Sequence, residues 1–124
     1  MRLLLDTHLL VWLPVRDPRL SRRAVEAIVS PDNSLAVSAV TAVEFTDLQR
    51  RGRIEIDEPI DALAASLGYE ILDLPAEVWR VVAKLPPLHR DPVDRMLVGH
   101  AMAGGFTLVT ADRTLRRYPV ESLW

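Results

Sequence analysis

Four acidic residues of this 124-residue chain stand where a strand gives way to a helix or turn. Asp6 closes the apolar run Arg-Leu-Leu-Leu at 2–5, and Asp112 follows the apolar run at 106–109. Glu44 falls early in a helix that follows the apolar segment 35–37, and Asp94 lies three places after Asp91, in the first turn of another helix. In a parallel sheet, strand carboxyl ends and the starts of the following helices converge on one edge, which is where open α/β folds place their sites. Carboxylates gathered there repel one another unless a cation neutralises them. With no cysteine and only three histidines in the chain, the ligands would be oxygen, a set that selects Mg²⁺, or alternatively Mn²⁺, over zinc. Such an ion polarises a phosphoryl group and eases deprotonation of an attacking water.

Each acid also has an ordinary structural reading. Asp6 and Asp112 suit turn or cap positions, Glu44 has capping-box spacing from Thr41, and Asp94 is an anion favoured at a helix start. Asp91 reads as the cap of its helix, with Pro92 at the first helical position. Thr7 and Thr110 adjoin the acids and can hydrogen-bond a ligand carboxylate, a water or simply the local backbone. Arginines group at 22–23, at 50, 51 and 53, and at 113, 116 and 117. The last two groups follow Glu44 and Asp112, so Arg113 and its neighbours are candidates to hold a phosphodiester backbone, the alternative being solvated faces. His8 and His89 read as solvated loop residues or phosphate contacts. His100 is six residues past Asp94, on a different helical face, and is assigned no role as ligand or base. Trp12 and Trp79 read as core or subunit packing.

The elements that must position these residues follow from periodicity and punctuation. Strands are predicted at 2–5, 35–37, 69–74 and 106–109, with a last edge strand at 118–120. Helices are predicted before Pro14, after Ser21, from either Ser38 or Thr41 to about Gly52, over 59–67, from Pro75 through Leu85, and from Pro92 to Gly104. The helix bearing Glu44 is expected to bury Val40, Val43 and Leu48. Strands alternating with helices make an α/β three-layer sandwich with a central, mainly parallel sheet, in a single domain spanning 1–124. Apolar residues are 49% of the chain and formal net charge is −2, which fits a globular protein and excludes the broad basic balance of a sequence-independent DNA coat. The apolar first segment carries Asp6 and His8, so it reads as a strand and not a signal peptide, and no apolar run reaches membrane-spanning length. A cytoplasmic protein is expected. No Gly-rich nucleotide fingerprint or phosphate-loop lysine is present.

Taken together, LLLDTH, SAVTAVEF, HRDPVDRMLVGHA, TLVTAD and RTLRRYPV resemble the PIN-domain family, specifically the small VapC-type ribonuclease toxins of toxin–antitoxin pairs. The resemblance implies that Asp6, Glu44, Asp94 and Asp112 form the acidic metal site, with Thr7 and Thr110 at polar positions beside it. It further implies an Mg²⁺- or Mn²⁺-dependent endoribonuclease cutting single-stranded RNA, a homodimer, a cognate VapB-type antitoxin, and operator DNA contacted only through that antitoxin. Hydrolysis by water in line with a departing 3′ oxygen implies 5′-phosphate and 3′-hydroxyl ends. Val43 and Leu48 stand where many relatives have Trp and Lys, and Gly99-His100-Ala101 replaces Ala-Gln-Ala, which bears on the RNA-contacting surface. The alternatives are a catalytically weak PIN-like binding subunit whose acids receive a basic partner tail, and a small acidic-site phosphohydrolase.

Overall fold

Leu3, Leu4 and Leu5 have no solvent exposure, because their strand, β1 (Arg2–Leu5), runs through the middle of a five-stranded sheet covered on both faces. The computed structural model describes residues 1–124. Successive side chains of a strand point to opposite faces, and Leu3 and Leu5 accordingly join one apolar cluster while Leu4 joins the other. The first cluster takes Leu9 and Leu10 from α1 (Thr7–Val15), Ala24 from α2 (Arg22–Val29), Phe45 from α3 (Ala39–Arg50) and Leu63 from α4 (Ile60–Leu67). The second takes Leu97, Val98 and Ala101 from α6 (Pro92–Gly104), with Val82 of α5 (Val78–Ala83) packed against it. The three-layer sandwich expected from the sequence is the observed fold.

The sheet order is β3 (Tyr69–Leu72), β2 (Ser34–Ser38), β1, β4 (Thr107–Val109), β5 (Ser122–Leu123). All neighbouring strands are parallel, with Leu4 of β1 in register with both Ala36 and Leu108. The chain therefore builds outward from β1 through β2 to β3, then returns to the other side of β1 for β4 and β5. That reversal makes the carboxyl ends of β1 and β4 the topological switch point, where connections diverge and leave a crevice.

Several local expectations are corrected. Pro14 does not interrupt α1, which continues to Val15. The missing N–H falls in the last turn, and Arg16 closes the helix in a left-handed conformation with φ 52°. The third strand stops at Leu72 and α5 is only six residues long. The last strand is not 118–120: Tyr118 turns inward, Pro119 has no N–H for a ladder, and pairing with β4 begins only at β5. Val43 is 70% exposed, since the buried face of α3 is set by Thr41 and Phe45, one turn apart. Trp79 is 65% exposed, which removes its core reading.

Of the two starts open to α3, the chain takes Ser38. Its Oγ accepts from Val40 N–H at 3.2 Å, while Thr41 is buried inside the helix and Glu44 lies in the second turn. The same Ser38 Oγ meets His100 Nδ1 at 2.8 Å, both residues being buried, so one hydroxyl caps α3 and ties it to α6. Burial holds the His100 ring below its ordinary pKa, which suits a neutral structural partner. Ser38→Ala removes a helix cap and strands a buried ring nitrogen together. It is expected to cost about 2–3 kcal/mol, measured by urea denaturation. A loss below about 0.5 kcal/mol would show that water or a neighbouring group replaces both contacts.

Candidate metal centre

At the switch point the chain's polar residues join into a continuous hydrogen-bonded path. Asp6, the first residue past β1, caps α1: its Oδ1 accepts from Thr7 N–H at 2.7 Å. Its Oδ2 accepts from Thr110 Oγ1 at 2.6 Å, reaching across from the end of β4. Thr7, turned inward at the first position of α1, donates its hydroxyl to Glu44 Oε1. Thr110 Oγ1 in turn accepts from Asp112 N–H at 3.1 Å, and Asp112 Oδ1 accepts from Thr114 N–H at 2.7 Å and Leu115 N–H at 3.2 Å. Asp112 thus caps the following 3₁₀ turn with one oxygen and presents the other to the crevice. The path Glu44–Thr7–Asp6–Thr110–Asp112 links acids that lie as far as 106 positions apart in sequence.

Asp94 enters from the other side of the crevice. Asp91 caps α6 by accepting from Val93 N–H at 2.9 Å, and Pro92 occupies the first turn, so Asp94 is fixed by the helix start as the spacing predicts. Its Oδ2 lies 3.2 Å from His89 Nε2, which is also 3.8 Å from Asp112 Oδ2. His89, Asp94 and Asp112 each bring a ligand-type atom within 4.8 Å of the others. Asp6 and Glu44 stand outside this tight group but act on it. The Asp94 pKa is pushed up to about 7, first by burial, then by the negative charges of Asp6, Asp91 and Glu44, against the opposing influence of His89. A half-buried carboxylate raised by its acidic neighbours marks a place where negative charge is gathered faster than the protein neutralises it. Oxygen donors in that state fit a hard divalent cation.

Sequence reasoning missed His89. It is not a solvated loop residue: its side chain is 26% exposed and spans two of the acids. Tyr118 Oη accepts its backbone N–H at 2.8 Å, and its Nδ1 accepts from Asp91 N–H at 3.1 Å. Arg95 was missed as well. It donates to Val82 O at 3.0 Å and Pro86 O at 3.1 Å, holding the end of α5 and the segment before His89 against α6. The available signal was the density of the HRDPVDR segment, whose outer residues had no local reason to be there. Arg113 is exposed beside Asp112, whereas Arg50 and Arg51 both pair with Asp47. No helix of the protein is long and apolar enough to cross a membrane.

The model of the PIN-domain family matches residues 3–121 of the chain. The chain is 32% identical over 118 residues to Ribonuclease VapC22 of Mycobacterium tuberculosis, covering 93% of this chain and 90% of that one. Among solved structures it is similar to VapBC2 from Rickettsia felis bound to a DNA fragment from their promoter, with TM-score 0.74, 21% identity, and coverage of 99% of this chain and 98% of that chain. It is likewise similar to VapBC-1 from nontypeable Haemophilus influenzae, with TM-score 0.67, 17% identity, and coverage of 94% and 91%. These structural likenesses speak for the fold.

The raised Asp94 pKa has a consequence for stability in the absence of metal. A carboxyl whose folded pKa lies above its unfolded one favours the folded state most at pH below the unfolded value, near 3.8, and that advantage is lost as pH rises through about 7. In excess chelator the thermal midpoint is therefore expected to fall between pH 5 and 8 more steeply in the wild type than in Asp94→Asn. At pH 8 the variant should melt higher by about 2–4 °C, allowing for the solvent that reaches the group. An equal or lower midpoint for the variant at pH 8 would show that repulsion at Asp94 does not govern the stability of the metal-free fold.

Proposed function

This chain belongs to the PIN-domain family, in its VapC-type branch, and on that premise we propose that it is a divalent-cation-dependent endoribonuclease, the toxin of a toxin–antitoxin pair. The observation that carries the reading is the convergence of acids from separate elements on the switch point, with Asp94 raised to about 7 largely by burial and acidic neighbours. Asp6, Glu44, Asp94 and Asp112 would hold Mg²⁺, or Mn²⁺ in its place, directly or through water. When bound, the cation supplies polarisation of a phosphoryl oxygen and a lowered pKa for the attacking water.

The chain's own residues prepare that chemistry. Thr7 and Thr110 fix the carboxylates of Glu44 and Asp6 by donating to them, so the donors are oriented before the ion arrives. Both Asp6 oxygens are held by hydrogen bonds, which suits a stationary ligand better than a nucleophile that must move onto phosphorus. This weighs against the phosphohydrolase alternative. Arg113, exposed next to Asp112, would contact a substrate phosphate. The choice of RNA is supported by the relative named as a ribonuclease.

A VapB-type antitoxin is the expected protein partner, and promoter DNA would be contacted through it, as the complex from Rickettsia felis suggests by its bound promoter fragment. A homodimer is supported by an open apolar groove of about 480 Å³, lined by Leu74, Val78, Trp79, Val82 and Met96, that the single chain leaves uncovered.

Cleavage of single-stranded RNA is expected to require Mg²⁺ or Mn²⁺, to stop in excess chelator, and to leave 5′-phosphate and 3′-hydroxyl ends. Asp94→Asn should lower the rate by at least about 100-fold, the scale of losing a group that stabilises transition-state charge. Mapping of 5′ ends with the purified protein checks this. Cyclic 2′,3′-phosphate products, or full activity of the variant, would overturn the reading.

A further inference from the structure

The first turn of α1 carries an aromatic ring beside the acids. His8, read from the sequence as a solvated loop residue or phosphate contact, is the second residue of α1, directly after Thr7. It is exposed, and its ring enters no hydrogen bond or ion pair within the chain. Its aromatic neighbour is Trp12, one turn on: the two rings stack with centroids 5.4 Å apart and planes 22° from parallel. We propose that His8, backed by Trp12, is a stacking subsite for one unpaired nucleobase of an RNA whose phosphate lies at the metal centre. The proposal rests on the ribonuclease reading given above.

The direction of the free face follows from the helix. Residues four apart lie one above the other, about 6 Å along the axis, and helical side chains lean toward the N-terminus. Trp12 therefore covers the His8 face turned toward the C-terminal end of α1, which leaves the other turned toward the N-terminal end. That end is the carboxyl edge of the sheet, where Asp6 caps α1 and Thr7 reaches Glu44. The backing is fixed. Asp17 accepts from Arg19 Nε at 3.0 Å and Nη2 at 2.8 Å, and this fork holds the guanidinium over the Trp12 ring, 4.5 Å from its centroid. The left-handed Arg16 and the bond from Asp17 N–H to Trp12 O at 3.1 Å turn the chain back to bring the fork there. Trp124 sets its ring centroid 6.1 Å from that of the indole. Packing accounts for the half-buried Trp12 but not for the exposed ring stacked on it, since the stem of a lysine or arginine covers an indole as well. Aromatic side chains with an open face are how proteins hold unpaired bases, and because every base has a π-face such a subsite tolerates any sequence. It selects single strands over duplexes, whose bases are not splayed out to stack on a side chain.

The test is binding of a fluorescein-labelled single-stranded RNA decamer, followed by polarisation at one fixed pH with Mg²⁺, in an Asp94→Asn background that keeps the RNA intact. His8→Ala is expected to weaken binding about 5–150-fold, the range for losing one base stack, and His8→Phe to stay within about threefold of the background. His8 is exposed, so both variants should keep the background's melting midpoint within about 3 °C. In a series of decamers each carrying one abasic site, one position should weaken binding to the background protein and cost nothing further in His8→Ala. A duplex of the same sequence should bind the background and His8→Ala alike. Unchanged RNA affinity in His8→Ala, a loss in His8→Phe as large as in His8→Ala, or no abasic position that cancels the His8→Ala loss would overturn the subsite while leaving the ribonuclease reading standing. Unchanged RNA affinity together with weaker capture of the cognate antitoxin would overturn it by giving this face to a protein partner. Wild-type protein that neither binds nor cleaves single-stranded RNA with Mg²⁺ or Mn²⁺ would overturn the ribonuclease reading itself, and the subsite with it.

Discussion

Two threonine hydroxyls allow mutually repelling carboxylates to share one sheet edge. Carboxylates only accept hydrogen bonds, so neighbouring acids cannot stabilise one another while ionised. A hydroxyl both donates and accepts. Thr7 gives its proton to Glu44 while its N–H goes to Asp6, and Thr110 gives its proton to Asp6 while accepting from Asp112 N–H. Hydrogen bonds to a charged group contribute about 1.5–3 kcal/mol each, which works against the repulsion. Asp94 receives neither hydroxyl, and burial first, then the charges of Asp6, Asp91 and Glu44, push its pKa up to about 7.

This arrangement is possible because the sheet around it is stiff. β1 contributes three leucines with no exposure, packed from both faces, and Asp6 follows them directly as Thr110 follows Val109. Asp6 N–H bonds to Val109 O at 3.1 Å, so the two strand ends that carry the threonine bridge cannot drift apart. That the acids meet at the switch point is a consequence of strand order and not of loop closure. The energetic cost of gathering charge is thus confined to the edge of a core that does not depend on it.

The part of the site carried by local chemistry was legible in the sequence. Asp6 and Asp112 end apolar runs, Asp94 follows a cap and a proline by helix spacing, and Thr7 and Thr110 adjoin the acids; each is a short-range signal. The parts that were not legible depend on contacts between distant segments. The His89 backbone is held by Tyr118, 29 positions away, and Arg95 by the Val82 carbonyl of α5 and that of Pro86. Val43 has the hydrophobicity of a core residue, yet the face that α3 buries is decided by packing on the sheet, which selects Phe45. The final strand was misplaced for a similar reason. Tyr118 looked like a strand residue by type, but its hydroxyl has a partner in the His89 segment that no nearby pattern reveals. HRDPVDR is dense because its residues close a loop, start a helix and furnish the site together.

On the proposed reading, charge decides how an RNA backbone could approach such a centre. The chain carries 15 basic and 17 acidic side chains, and the crevice itself concentrates acids, so phosphate is repelled there until a cation is bound. Basic groups at the rim must then supply the first contact, and the two arginine groups that follow acidic positions are not equivalent. Arg50 and Arg51 share Asp47, while Arg53, the third of that group, is exposed. Arg113 and Arg117, by contrast, are exposed around the turn that Asp112 caps, and Arg90 is exposed beside His89. Exposed basic side chains therefore stand on both of the segments that bring Asp112 and His89 together.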